Sequence, residues 1–65
     1  MTVGERIKDI RVNQKLTQAD FAKSIGIKQS SLSEIEQGRT KPSIDTVIAT
    51  SKQYGVSTDW ILKGE

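Results

Sequence analysis

The sequence predicts an all-α domain of five short helices, and three observations carry that prediction. Apolar residues recur at helical spacing in each candidate element, and no stretch of useful length alternates with the two-residue period of a strand. Thr2, Thr17, Ser43 and Ser57 each stand just ahead of an apolar stripe, where a side-chain oxygen caps a helix. Gly26, Gly38, Gly55 and Gly64 each stand just behind one, where a left-handed residue ends a helix cheaply.

Thr2-x-x-Glu5 is a capping box, and Val3, Ile7 and Ile10 give a first helix that runs to about Lys15. Thr17 caps a second helix, with Asp20 as the acidic partner of a shortened capping box and Phe21, Ala22 and Ile25 on one face. Gly26 then reverses the chain, and a third helix from Lys28 to Gln37 returns Leu32 and Ile35 to the second. Ala22 is small where those two axes must cross closely. Pro42 biases Lys41 towards an extended conformation, so residues 39–42 form a loop. Ser43 opens a fourth helix carrying Ile44, Val47, Ile48 and Tyr54, and Ser57 opens a short fifth with Trp60, Ile61 and Leu62. The expected core is Ile7, Ile10, Leu16, Phe21, Ala22, Ile25, Ile27, Leu32, Ile35, Ile44, Val47, Ile48, Tyr54, Val56, Trp60 and Ile61.

Residues 1–65 are read as a single domain, without repeat, linker or low-complexity segment. A chain of this size buries only about three-fifths of its unfolded surface, so packing must be efficient. With no cysteine and no histidine, a disulfide staple and a Cys/His zinc site are both excluded. No apolar run approaches the ~20 residues of a membrane span, and MTVGERIKD has no signal-peptide core. The expectation is a soluble, cytoplasmic protein without cofactor. An enzyme is not expected: there is no phosphate-cradling glycine loop and too little mass to enclose a pocket. Glu34 and Glu36 stand two apart on a helix, so they point in different directions and cannot act as a dyad.

The net charge of +2 does not announce a nucleic-acid partner, but its distribution is uneven. Residues 1–41 hold eight Lys/Arg against five Asp/Glu, whereas residues 42–65 hold two against three. The positive excess therefore sits with the helix pair and its flanks. The outward face of its second member is Lys28, Gln29, Ser30, Ser31, Ser33, Glu34 and Gln37. Short polar side chains on such a helix suit hydrogen bonding to base edges and phosphates in the major groove of DNA.

These residues resemble the lambda-repressor-like, Cro/CI-type (XRE) helix-turn-helix domains of bacterial and phage transcription regulators. The resemblance rests on Leu16-Thr17-Gln18-x-x-Phe21-Ala22, Ile25-Gly26-Ile27, Leu32 and Ile35-Glu36-x-Gly38. Pro42-Ser43 and Gly55-Val56-Ser57-x-Asp59-Trp60-Ile61-Leu62 complete it. It implies a sequence-specific, double-stranded DNA-binding regulator, usually a repressor, that acts as a homodimer on a palindromic operator. The third helix would be the recognition helix, with Gln29, Ser30 and Glu34 facing base edges. Gln29 is the best candidate reader, since its amide pairs bidentately with adenine. For Glu34 two readings stand side by side: a reader that accepts from cytosine N4, or a surface carboxylate paired with Lys28 or Lys41.

By the same resemblance Gln18 binds phosphate at the start of the second helix, joined by Lys28, Ser31, Arg39, Thr40 and Lys41. Arg11 and Glu36 would form a largely buried structural ion pair between the first and third helices. Dimer contacts would involve Val56 and Thr58, with Pro42 beside them and few exposed apolar residues available. Two rival readings keep the fold and change the partner: a protein-interaction module that reads no DNA, and an antitoxin that binds a protein toxin as well as DNA. The ending DWILKGE fits either a complete small Cro-like protein or the DNA-binding part of a larger regulator.

Overall fold

A computed structural model describes all residues 1–65 and contains five helices: α1 (Val3–Asn13), α2 (Gln18–Ile25), α3 (Gln29–Glu36), α4 (Ile44–Tyr54) and α5 (Thr58–Lys63). α2 packs on α3 and α4, α1 packs on α3 and α5, and α4 closes against α5. Ile7, Phe21, Leu32 and Ile61 lie at the centre, fully buried and drawn from four different helices. Phe21 stacks on Tyr54 with ring centroids 5.0 Å apart, and the Tyr54 hydroxyl meets the Ser24 hydroxyl.

All four hydroxyl caps are made. Thr2, Thr17, Ser43 and Ser57 accept from the backbone N–H of Glu5, Asp20, Thr46 and Trp60 respectively. Only the first is a reciprocal box: the Thr2 N–H donates to Glu5 Oε1 at 2.9 Å, whereas Asp20 gives nothing back to Thr17. That backbone N–H, then the Thr2 side chain, holds the Glu5 carboxyl below its ordinary value. A depressed folded-state value means the box stabilises α1 above the unfolded carboxyl's range and is lost as pH falls through the folded one. Amide protection at Thr2 and Glu5 is therefore expected to fall in acid ahead of the rest of α1. Protection that does not change there would show the box to be idle.

Helix ends differ from the sequence expectation by one or two residues, and in α1 the reason is specific. The helix stops at Asn13 because Lys15, not a glycine, takes the left-handed conformation at φ 57°. Lys15 N–H then donates to Val12 O and Leu16 N–H to Arg11 O, the paired bonds of a Schellman stop. α3 begins at Gln29, so Lys28 is its N-cap residue and supplies no side-chain bond. Gln37 is its C-cap.

The core departs from expectation in α4. Ile44 is 77% exposed and Ile48 41% exposed, while Thr46, Val47 and Thr50 face inward. Each buried threonine satisfies its hydroxyl locally: Thr50 Oγ1 donates to Thr46 O at 2.8 Å, and Thr46 Oγ1 accepts from Ser43 Oγ at 3.0 Å. A threonine bonded this way can face the core without leaving its hydroxyl unpaired. Arg6 is also buried, with Nε donating to Ile61 O, Nη2 to Leu62 O and Nη1 to Met1 O. No buried side-chain polar atom lacks a partner.

Candidate nucleic-acid interface

α3 lies across the molecule with one face sealed by Leu32 and Ile35 and the other open. Its apolar pair docks on α2, and the spacing of that pair leaves Gln29, Ser30 and Glu34 exposed on the remaining arc. Ser31 and Ser33 are half-buried, and Ser33 Oγ accepts from Gln37 Nε2 at 2.7 Å. Because Lys28 gives no cap, the first N–H groups of α3 have no side-chain partner. The exposed start of the helix thus combines an amide side chain, hydroxyls and open backbone donors. It can bond both base edges and anions.

Lys28, Arg39, Thr40 and Lys41 are exposed and flank α3 at its two ends. Gly38, left-handed at φ 79°, turns the chain out of α3 so that residues 39–41 run beside it. Ser31 and Glu34 share a cleft with Thr40, Lys41 and Ser43. Glu34 lines that cleft with Lys41 yet neither forms an ion pair, since the pair in the structure is Arg11–Glu36.

Arg11 and Glu36 meet in a two-point contact, Nε to Oε2 at 2.7 Å and Nη2 to Oε1 at 3.0 Å. Their side chains are 15% and 4% exposed. Arg11 Nη1 also donates to Leu16 O at 3.0 Å, so the guanidinium spans the α1–α2 connection. The hydrogen bonds it donates to Glu36 push the Arg11 guanidinium above its ordinary value, against the opposing effect of burial. Gln18 joins the same carboxylate, donating from Nε2 to Oε1 at 3.0 Å.

Val56 and Thr58 are not brought together. Val56 lies half-buried in a depression with Ile10, Asn13, Gln14 and Trp60. Thr58 instead lines a separate apolar groove with Pro42, Ile44, Val47, Ile48 and Leu62. Ile44, Ile48 and Leu62 are exposed there, so that face holds more apolar surface than the sequence led one to expect.

A family model described as helix-turn-helix matches residues 7–61. The chain is similar to the immunity repressor protein of Bacillus phage phi105, at 40% identity over 65 residues, covering 100% of this chain and 45% of that protein. It is similar to the HTH-type transcriptional regulator DicA of Escherichia coli, at 40% identity over the same length, covering 100% of this chain and 48% of the regulator. The chain therefore spans just under half the length of these curated relatives. Among solved structures it is similar to the P22 c2 repressor protein in complex with synthetic operator 9T. The TM-score is 0.92 and the identity 34%, covering 100% of this chain and 98% of that one.

Proposed function

The chain belongs to the helix-turn-helix family, and on that premise we propose that it is a sequence-specific regulator of transcription, a repressor that binds a double-stranded operator. The observation that carries this reading is the whole-chain match, at TM-score 0.92 and 34% identity, to a repressor in complex with an operator. The polar, open face of α3 supports it. In this reading α3 enters the major groove. Gln29, Ser30 and Glu34 meet base edges, while Gln18, Lys28, Ser31, Arg39, Thr40 and Lys41 bind phosphates.

A single eight-residue helix reaches few base pairs, so useful specificity calls for a homodimer on a palindrome. The groove around Pro42, Ile44, Ile48, Thr58 and Leu62 is the surface that suits a second copy, with Val56 outside it. Half-sites would lie about 10–10.5 bp apart. With ~3 phosphates neutralised per protomer, log K against log salt would fall with a slope near −5.

Selection from a random duplex library is the direct test. An enriched palindrome with that spacing is the expected result, and a pool without enrichment would overturn the reading. On the enriched duplex, Gln29→Ala is expected to cost about 1–3 kcal/mol against one base pair and to relax preference there. Lys41→Ala should weaken all sequences alike and shallow the salt slope by about 0.9 per protomer. Parallel losses from both variants on every sequence would rule out the division between readers and phosphate ligands.

A further inference from the structure

Gln18 is the first residue of α2 and Glu36 the last of α3, so their hydrogen bond closes the helix-turn-helix from end to end. An ionised carboxylate can only accept, so it is the amide nitrogen of Gln18 that must face it. We propose that Glu36 is a positioning residue for the DNA backbone: by holding one N–H of the Gln18 amide, it fixes the amide plane and aims the second N–H at a phosphate. This rests on the DNA-binding reading above and assigns Glu36 a part in it.

Three features support the assignment. The two N–H bonds of a carboxamide lie in one plane, so fixing one direction fixes the other. The Glu36 side chain is itself 4% exposed and bonded at both oxygens by Arg11. Gln18 is only half-buried, so the rest of its amide stays open beside the N-terminus of α2. Arg11 also cancels the carboxylate's charge, which lets an acidic residue sit behind a phosphate contact without repelling it. A glutamine left free would have to freeze its side-chain torsions on binding, and that loss of freedom is made in advance here.

The test is a double-mutant cycle on the duplex enriched above, or on a mixed-sequence duplex at low salt if none is enriched. Gln18→Ala and Glu36→Gln are each expected to weaken binding about tenfold. Gln18→Ala should leave the salt slope unchanged, because a neutral amide releases no counterion on meeting a phosphate. The double variant should lose no more than the worse single one. Glu36→Gln removes a negative charge, so electrostatics alone would tighten binding, and a loss marks positioning. Additive losses, or tighter binding by Glu36→Gln, overturn the proposal. If Glu36→Gln fails to fold, relaxation of the Gln18 side-chain amide in the wild-type chain decides. It should be as rigid as the backbone, and a freely rotating amide overturns the proposal. A wild-type chain that binds neither duplex overturns the DNA-binding reading and this assignment with it, whereas an additive cycle on a duplex that binds removes the assignment alone.

Discussion

Arg11→Met is expected to lower stability by about 3–5 kcal/mol, because it leaves the Glu36 carboxylate buried with no cation. Gln18 alone remains to solvate that charge. A domain of this size has a total stability of only about 3–10 kcal/mol, so the loss is a large share of the whole. At roughly 4 °C or more per kcal/mol, the melting temperature should fall by at least about 12 °C. Calorimetry of the purified variant measures this directly. Replacing both partners with apolar residues of similar volume should recover much of the loss, since the stranded charge is what costs. An unchanged melting temperature for Arg11→Met would show that the pair contributes nothing.

Gly4→Ala is the second large effect, and its cause is steric. A Cβ on Gly4 would stand 2.0 Å from the backbone oxygen of Ile35 and 3.0 Å from its carbonyl carbon. Neither atom belongs to a flexible side chain, so α1 must move away from the end of α3. Overpacking against backbone is expected to cost about 3 kcal/mol, the top of the usual range. The same shift carries Glu36 away from Arg11, so the tilt of α3 changes too, and DNA binding should fall even where the variant is fully folded. Gly26→Ala is the contrast: nothing lies near its Cβ, and the strain of a left-handed alanine at φ 77° costs only about 1–2 kcal/mol. Equal melting temperatures for the two variants would contradict the steric account.

What the sequence made legible was local. A hydroxyl cap and the N–H it accepts from are three residues apart, and Gly26 sits beside the helix it ends, so both can be read along the chain. The polar face of α3 follows from two buried residues, Leu32 and Ile35, and a fixed period. Lys15 hid the end of α1 because nothing in its chemistry announces a left-handed backbone. In α4, hydrophobicity chose Ile44 and Ile48, whereas the inward stripe is Thr46, Val47 and Thr50. Two threonines whose hydroxyls bond neighbours one turn away can be buried there, and that depends on geometry rather than composition.

Contacts between distant residues were harder to see. Gln18 and Glu36 are 18 positions apart and Arg6 is 55 from Ile61, and no periodicity reports such meetings. Gly4 did leave a trace: a glycine in the first turn of a capped helix forgoes helix propensity, which a close approach of other backbone would explain. That Val56 and Thr58 line different depressions was hidden for a related reason. The two residues straddle the start of α5 and turn towards different neighbours.

Arg6 closes the chain into a ring without a covalent bond. One guanidinium bonds carbonyls of Met1 at the beginning and of Ile61 and Leu62 near the end. The α5 helix cannot peel away without stranding two donors of the buried Arg6 guanidinium, so its departure carries a cost at the first helix as well. Joining residues 65 and 1 through a short peptide and reopening the chain in the 39–41 loop should preserve the architecture. Any sequence grafted after residue 65 would leave from beside the amino terminus, at the corner where α1 begins.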